Sequence, residues 1–476
     1  MIVMKFGGTS VIDAAAIDRT AQIVKGRLER RPMVVVSAMS RVTDALLAAG
    51  KAAGEGQRSQ ALELSQALRE RHHDTAEELV TAAQYTALGA EIDREFDTLD
   101  ELLKGIVAVG ELSPRSSDYV VSYGERLNSK IVTEAYQARG IRSALVDARK
   151  VLITDAQHGK AIPQVDEIEH RAKNLVRPLL DDAQVPVMGG FIGATEHGVQ
   201  TTIGRGGSDF SAALIGSGLD AEAIEIWTDV DGMMTTDPRI CPDARRIRVI
   251  SFEEAAELAY FGAKVLHPAT VLPAVQKNIP VLVLNSLNPG NEGTLIVGRA
   301  PKSKSTFKAI AAKKRITIVE VVAARMLGAH GFLKAIFDVF DKHHCSIDVV
   351  STSEVSVSLT VDSNEAIPAI AADLARIADV KYAGRNAIVC LVGENIRETP
   401  QIAARVFTAL GEINVRMISQ GASEINITFV INEDDVPEAL RRLHKEFFSD
   451  VDPEVFDDPA AATLHRLEPS SRSAGK

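Results

Sequence analysis

Short apolar runs alternate with amphipathic helical stretches over roughly the first 295 residues, and this alternation limits the fold more than any other feature of the chain. The runs are "MIVMKF", "PMVVVSA", "SALVDA", "VPVMGGF", "AIEIWT" and "IPVLVLN". Strands that are buried on both faces have this continuous apolar character, and helices between successive strands favour parallel pairing. We therefore predict an α/β domain over residues 1–295, with an open, mainly parallel sheet and helices on both faces. Residues 51–110 are polar and rich in Ala and Glu, which predicts a helical insertion.

The pattern changes after a stretch rich in Pro, Gly, Ser and Lys, which predicts a linker at 296–306. The order strand, helix, strand, strand, helix then occurs twice. Ser351 and Glu354 recur as Ser419 and Glu424, so the repeat is about 70 residues long. Two copies of one small α+β module are predicted.

The number of strands predicts how the two modules are connected. The first copy can close on "DVKYAG", but no convincing closing strand follows the second copy. The strand-like segment "FKAIAAKK" precedes both copies and can supply the missing strand. We therefore predict a first module at 315–385, a second module made of 307–314 and 386–458, and a mobile tail at 459–476.

Composition excludes several classes of protein. Fifty-three Lys and Arg against 64 Asp and Glu give a formal charge of −11, and no basic block occurs, so nucleic acid is not an expected partner. Cys241, Cys345 and Cys390 are widely spaced without a CxxC motif, which argues against a disulfide framework or a zinc site and fits a reducing cytoplasm. The sequence has no apolar segment long enough to predict a secretory leader or a membrane span.

The N-terminal stretch "KFGGTS" has features of an anion site. Lys5 ends an apolar run, and Gly7 and Gly8 lie between this run and a predicted helix. Backbone N–H groups and the positive end of a helix favour an anion at such a position. The stretch matches neither a P-loop nor GxGxxG. An ordinary turn, with Ser10 capping the helix, remains an alternative.

A second glycine-rich stretch is "TIGRGGSDFSAAL". Its glycines allow close approach of a phosphate, and Ser208 or Asp209 is expected to begin a helix. Arg205 offers a planar fork for a carboxylate or a phosphate. The alternative, a glycine turn capped by Asp209, leaves Arg205 unexplained.

Weaker signals occur in three further motifs. Thr228, Asp229 and Arg239 lie in "WTDVDGMMTTDPR", at the end of a predicted strand, where ligands bind in parallel sheets but where Asp also forms ordinary turns. Glu125 in "SYGERLNS" could bind an ammonium group or interact only with the helix dipole. Lys264 in "FGAKVLHPAT" could reach a phosphate or lie in solvent.

Taken together, the motifs resemble one family. "KFGGTSV", "VVSAMSRVTD", "SYGERLNS", "GGFIGAT", "TTIGRGGSDFSAAL", "WTDVDGMMTTDPR" and "FGAKVLHPAT" occur in the order and approximate spacing of aspartate kinases, members of the amino acid kinase superfamily. The two repeats resemble the paired ACT domains of that family. The resemblance implies transfer of a phosphoryl group from ATP to the β-carboxylate of L-aspartate, the first step of lysine, threonine and methionine biosynthesis. That carboxylate has a pKa of about 4 and is ionised at neutral pH, so no general base is needed.

The resemblance also implies roles for individual residues. Lys5 and Lys264 are expected to flank the β- and γ-phosphates of ATP, and Asp209 to organise the lysines. Further nucleotide positions are Gly7, Gly8, Thr228, Asp229, Arg239 and Val265. The aspartate positions are Ser37, Thr43, Glu125 at the α-ammonium and Arg205 at the α-carboxylate. Mg²⁺ is expected to be held mainly by the phosphates, without a predicted protein ligand. One departure is Met234, where the family often has an aromatic residue beside the nucleotide.

The ACT pair implies feedback by an amino acid. Lysine is favoured, with threonine or both together left open, and a homo-oligomer is expected, either a dimer through the ACT domains or a tetramer. The expected effector positions are Met326, Gly328, Ala329, Ile347, Asp348, Thr352, Ser353 and Glu354. Two alternative functions predict different sequence features. Another amino acid kinase is expected to lack the ACT pair and "SYGER", and a noncatalytic amino-acid sensor is expected to lose Lys5 or "GRGGSD". A fused homoserine dehydrogenase is not expected, because no further nucleotide-binding domain follows.

Overall fold

The computed structural model describes residues 1–204, 206–262, 268–323 and 330–457. The strands, in chain order, are Ile2–Phe6 (β1), Pro32–Val36 (β2), Ser143–Val146 (β3), Val185–Gly189 (β4), Ile192–Ala194 (β5), Gln200–Thr202 (β6), Ala223–Thr228 (β7), Val249–Ser251 (β8), Val281–Asn285 (β9), Thr294–Val297 (β10), Phe307–Val322 (β11), Ile347–Thr352 (β12), Ser356–Asp362 (β13), Asp379–Gly393 (β14), Met417–Gln420 (β15) and Asn426–Asn432 (β16).

The α-helices are Ala14–Lys25 (α1), Val42–Gly54 (α2), Arg58–Leu79 (α3), Ala82–Val109 (α4), Pro114–Val121 (α5), Tyr123–Ala138 (α6), Ala148–Val151 (α7), Val165–Leu175 (α8), Arg177–Asp181 (α9), Gly207–Gly218 (α10), Phe252–Tyr260 (α11), Leu272–Gln276 (α12), Phe332–Lys342 (α13), Ile367–Leu374 (α14), Ile402–Leu410 (α15) and Val436–Phe448 (α16). Short 3-10 helices occur at Gly8–Val11, Leu28–Arg30, Pro268–Val271, Ile396–Glu398 and Glu433–Asp435.

The chain divides into two compact units. The first contains residues 1–233 and 265–299, and the second contains 234–264 and 300–476. The segment 234–264, which lies within the predicted first domain, groups with the C-terminal modules instead.

The sheet of the first unit has the strand order β3-β4-β2-β1-β7-β9-β10. Pairing is parallel from β3 through β9, and β10 runs antiparallel to β9. Every residue of β1, β2 and β4 is buried, as their continuous apolar sequences require. One core cluster joins β1 and β2 to the long helices α3 and α4 through residues such as Leu68 and Phe96. The predicted mainly parallel sheet is confirmed.

The described part of the second unit contains a six-stranded antiparallel sheet with the order β12-β13-β11-β14-β16-β15. Its two long strands, β11 and β14, pair in two stretches that are separated by a register shift near Lys313 and Ile316. The 316–322 half of β11 pairs with β13 and with the 379–386 half of β14. The 307–313 half of β11 pairs with the 388–393 half of β14, which also pairs with β16. The predicted pair of α+β modules is confirmed as a fold class.

Candidate functional site

A cavity of about 340 Å³ opens beside the carboxyl ends of the parallel strands of the first unit. Ligands of open α/β sheets bind at this edge, because the loops that leave parallel strands converge there. The wall includes segments that follow β1, β2 and β4, the first turn of α6 and the start of α10. Predicted site residues in the wall are Lys5, Gly8, Ser37, Thr43, Glu125 and Asp209.

A buried ion pair lies in this wall. The Nζ of Lys5 is 2.6 Å from Oδ1 of Asp209, and Lys5 is only 8% exposed. The lysine lies on strand β1, and the carboxylate lies in the first turn of α10. Helix α10 begins at Gly207, so the expectation that Ser208 or Asp209 begins it was wrong. The N-cap is Gly206, which has a positive φ of 70°, and the Asp209 carboxylate pairs with Lys5.

Close backbone packing explains Gly8, the second glycine of the first motif. A Cβ on Gly8 would lie 3.1 Å from the carbonyl oxygen of Ala38, and the N–H of Ser40 donates to the carbonyl of Gly8 over 3.2 Å. Ser10 does not cap a helix, because its hydroxyl lies 2.8 Å from that of Ser286 and the cap of α1 is Asp13. The motif therefore joins the backbones that follow β1 and β2 into one wall.

The loop after β2 is held from outside the cavity. The amide of Asn128 donates to the carbonyl of Ser37 over 2.6 Å, and the guanidinium of Arg71 donates to the carbonyl of Ser40 over 2.9 Å. Helix α2 then begins at Val42, so Thr43 lies in its first turn. These contacts fix Ser37 and Thr43 beside the ion pair in the cavity wall.

Glu125 is a buried carboxyl group with an unsatisfied oxygen. Its Oε1 accepts a hydrogen bond from the N–H of Ala38 over 3.2 Å, whereas its Oε2 is buried and has no hydrogen-bond partner among the described residues. Removal from water raises the pKa of Glu125 to about 8. A buried carboxyl group with a free oxygen on the wall of a cavity is suited to bind a cationic group.

Other predicted nucleotide positions lie outside this cavity. Thr228 ends β7 and Asp229 follows it, and the Thr228 hydroxyl donates to the Asp229 carboxylate over 3.2 Å. Arg239 lies in the second unit, where it forms a bidentate pair with Asp237 and its side chain is 88% exposed. Met234 is half-buried and forms a backbone bridge with Arg246. Arg205, Lys264 and Val265 lie outside the described residues.

Sequence reasoning missed several residues of the cavity wall. Phe191, Ser208, Arg41 and Asp44 line the cavity but were not predicted as site residues. Phe191 has a positive φ of 64°, and a Cβ on Gly207 would lie 2.6 Å from its ring. The signal was available, because Phe191 lies in "GGFIGAT" and Ser208 lies in "GRGGSD", two motifs that were already recognised.

The predicted effector segment lies on β12 and in the turn that follows it. Ile347, Asp348 and Thr352 belong to β12, whereas Ser353 and the exposed Glu354 lie in the turn before β13. The Asp348 side chain is 4% exposed, accepts a hydrogen bond from the Tyr260 hydroxyl over 2.7 Å and pairs with Lys313 at 3.0 Å. Met326, Gly328 and Ala329 lie outside the described residues.

The described part of the chain contains neither a cluster of metal ligands nor a helix suited to span a membrane. Within it, no group of three or more His, Cys, Asp or Glu side chains could hold a metal ion. None of the helices in the described ranges is long and apolar enough to cross a membrane.

Comparison with known proteins identifies the family. The amino acid kinase family model matches residues 1–285, and an ACT domain model matches 319–372 and 389–447. Aspartokinase 1 of Arabidopsis thaliana, a chloroplastic protein, is 38% identical over 94% of this chain and 80% of its own length. The chain belongs to the aspartokinase family. The lysine-sensitive aspartokinase 3 of Escherichia coli is 35% identical over 94% of this chain and 99% of its own length.

Solved structures of the family have the same fold. The E. coli aspartokinase III structure with aspartate and ADP has a TM-score of 0.82 at 35% identity, covering 94% of this chain and all of that one. The structure of the same enzyme with lysine and aspartate gives equal values. The resemblance, the fold class and the assignment to the nucleotide-using aspartate kinases are confirmed.

Proposed function

We propose that this chain transfers the γ-phosphoryl group of ATP to the β-carboxylate of L-aspartate, the first step of lysine, threonine and methionine biosynthesis, under feedback by an amino acid. The observation that carries the proposal is one cavity whose wall holds both the buried Lys5–Asp209 pair and the free oxygen of Glu125. A cation for phosphoryl oxygens and an acceptor for an ammonium group are what the two substrates require. The E. coli relative whose structure contains aspartate and ADP supports the same substrates.

Charge stabilisation is the main task of the proposed site. Phosphoryl transfer needs positioning and neutralisation of the charge on the phosphoryl oxygens more than covalent help. Lys5 supplies a positive charge at the end of β1, and Asp209 holds its ammonium group in place. We propose Lys264 as the second lysine at the phosphates, with Gly7, Gly8, Thr228, Asp229, Arg239 and Val265 as further nucleotide positions.

Recognition of aspartate requires one acceptor and one donor. In the proposal, Glu125 binds the α-ammonium group, Arg205 binds the α-carboxylate, and Ser37 and Thr43 contact the substrate. The free Glu125 carboxyl group has a pKa of about 8 and is mostly protonated at neutral pH. An ammonium group beside it favours the ionised form, so aspartate binding is coupled to release of a proton.

Magnesium fits this site if the nucleotide supplies most of its ligands. Mg²⁺ in kinases usually keeps several waters and takes oxygens from phosphates and only one or two carboxylates. The ion supplies charge neutralisation on the phosphates when bound, and Lys5 adds to that neutralisation from the protein side.

Feedback is proposed to act through the first ACT module, with lysine as the favoured effector and threonine, or both, as alternatives. A relative is named as lysine-sensitive, and one solved relative contains lysine. The positions proposed on this chain are Met326, Gly328, Ala329, Ile347, Asp348, Thr352, Ser353 and Glu354. Asp348 is buried and paired with Lys313, so an ammonium group of the effector would compete with that pairing.

The remaining sequence predictions are kept as proposals. The domain boundaries are 1–295 for the kinase domain, 315–385 for the first ACT domain, and 307–314 with 386–458 for the second. The 307–313 half of β11 pairs with the 388–393 half of β14, which supports the assignment of residues 307–314 to the second domain. A cytoplasmic location and assembly into a dimer or tetramer are further predictions.

An assay of substrate preference tests the proposed function. ATP consumption is coupled to an indicator reaction and measured with L-aspartate, L-glutamate and N-acetylglutamate in turn. We expect turnover only with aspartate, and Arg205→Ala should raise the KM for aspartate far more than that for ATP. Preferred use of another acid would assign the chain to a different branch of the superfamily. A complete lack of ATP turnover would favour a noncatalytic sensor.

A further inference from the structure

A buried carboxylate outside the cavity connects three segments of the first unit. Asp118 lies in α5 and is 2% exposed. Its Oδ1 accepts hydrogen bonds from the Thr202 hydroxyl over 2.5 Å and from the N–H of Gly159 over 3.0 Å. Its Oδ2 lies 2.7 Å from Nδ1 of His158. Asp118 does not line the cavity, and the proposed mechanism does not use it.

The first contact fixes the strand that leads to the glycine loop. Thr202 is the last residue of β6, and only Ile203 separates it from Gly204 in the cavity wall. The N–H of Ile203 donates to the carbonyl of Phe191 over 3.0 Å. The Asp118–Thr202 bond therefore holds the loop at the point where it leaves β6 and enters the wall.

The other contacts fix the loop that packs behind Gly204. The carbonyl of Gly159 lies 3.5 Å from the position of a Cβ on Gly204, and Gly204 has a positive φ of 79°. Asp118 holds Gly159 through its N–H and the neighbouring His158 through its ring. The N–H of Ala161 donates to the carbonyl of Thr202 over 2.9 Å, which closes this loop on β6.

We infer that Asp118 is a positioning residue for aspartate binding. Its hydrogen bonds hold the 200–204 segment and the 158–160 segment. The positions of these two segments determine how the chain leaves Gly204 toward Arg205. This inference rests on the proposed function, in which Arg205 binds the α-carboxylate. A carboxylate that accepts three hydrogen bonds from two separate segments holds them together more firmly than a neutral acceptor does.

Steady-state kinetics provide the first test. Asp118→Ala should raise the KM for aspartate about tenfold or more and change the KM for ATP less than about twofold, because the loop carries a substrate group and not the lysine of β1. Asp118→Asn should recover most of the loss, since its Oδ1 still accepts the hydrogen bonds from Thr202 and Gly159. An Asn variant as impaired as the Ala variant would overturn the hydrogen-bonding role.

A matched control separates positioning from general destabilisation. Thr20→Val removes the buried hydrogen bond of 2.9 Å from the Tyr136 hydroxyl, which lies in the same unit but outside the cavity wall. This variant should lower the melting temperature without raising the KM for aspartate. If Thr20→Val raises the KM for aspartate as much as Asp118→Ala does, the inference fails. Thr202→Val, which removes one of the three contacts, should give an intermediate increase.

Hydrogen–deuterium exchange gives a test that does not depend on activity. Peptides that span residues 200–210 should exchange faster in Asp118→Ala than in the wild type, and Thr20→Val should leave them unchanged. Unchanged exchange in Asp118→Ala overturns the inference even if the wild type phosphorylates aspartate. If the wild type does not use aspartate, the proposed function fails, and the exchange result still decides whether Asp118 fixes this loop.

Discussion

The Lys5–Asp209 pair shows how the site holds a positive charge in a poorly hydrated place. Both side chains are largely buried, and the two charges lie 2.6 Å apart. The negative charge of the carboxylate offsets part of the desolvation cost of burying the ammonium group. The same carboxylate also restricts where the ammonium group can lie. In the proposed function, this placement of Lys5 exists before the nucleotide binds.

The first residue-scale prediction concerns Lys5. Lys5→Ala should lower kcat on the order of a hundredfold to a thousandfold, because a preorganised charge at the phosphoryl oxygens is lost. Kinetics on the purified variant measure this, and circular dichroism checks the fold. Lys104→Ala, which removes a half-buried lysine paired with Glu101 on α4, is the control and should keep full activity. Activity of Lys5→Ala within about threefold of the wild type would be incompatible with the assignment.

The second residue-scale prediction concerns Glu125. Its pKa is about 8 in the folded chain and 4.5 ordinarily, so between these values the folded state binds a proton that the unfolded state has lost. This group therefore makes stability fall as pH rises through that window. Glu125→Gln removes the effect, so its melting temperature should exceed that of the wild type by more at about pH 8 than at about pH 5.

The same substitution should weaken substrate binding. Glu125→Gln is expected to raise the KM for aspartate about tenfold or more, because the amide cannot pair with the α-ammonium group as a carboxylate does. Thermal unfolding without ligands and kinetics with varied aspartate measure the two effects. A stability difference that is the same at both pH values would contradict a raised pKa, and an unchanged KM would remove Glu125 from the substrate site.

Strand β11 and helix α11 both contact Asp348, a proposed effector residue. Lys313 on β11 pairs with Asp348 at 3.0 Å and with Asp362 at 2.9 Å, and Tyr260 at the end of α11 donates to Asp348. Tyr260 lies only four residues before Lys264 in the chain. A change in the pairing of Asp348 is therefore expected to alter a contact of the helix that precedes Lys264 in the chain.

Lys313→Met tests this connection. Without its lysine, the buried Asp348 lacks a cation, and an amino-acid effector supplies one through its ammonium group. The lysine concentration for half-maximal inhibition should fall about three- to tenfold, with kcat in the absence of effector nearly unchanged. Lys314→Met, an exposed neighbour on the same strand, is the control. Weaker inhibition in Lys313→Met would show that Lys313 helps to hold the effector.

At the scale of the whole molecule, the sequence predicted the sheets better than it predicted the site. Continuous apolar runs identify buried parallel strands directly, and the repeat identifies the paired modules, because both depend on local pattern. The grouping of 234–264 with the C-terminal unit has no such signal, since it depends on contacts distant in sequence. The free oxygen of Glu125 and the contacts of Asp118 likewise arise only when separate segments meet.

Feedback involves both units, because the proposed effector residues lie in the second unit and the candidate cavity lies in the first. Glu354→Ala should weaken inhibition by lysine about tenfold or more and leave uninhibited kcat nearly unchanged, since its exposed carboxylate is proposed to accept the ammonium group of the effector. Lysine titrations of both proteins at fixed aspartate and ATP measure this. Equal inhibition of the two would remove Glu354 from the effector site, and an uninhibited wild type would favour threonine.

Strands β11 and β14 each run through both halves of the second sheet. A recombination point between the two repeats would therefore combine half-strands of different origin in each module, and both long strands would carry a junction at the register shift. Exchange of a single module between relatives has to transfer parts of two distant segments together. Such paired segments are expected to be inherited as one block, so chimeric enzymes with altered feedback are best built by replacing residues 300–457 as a whole.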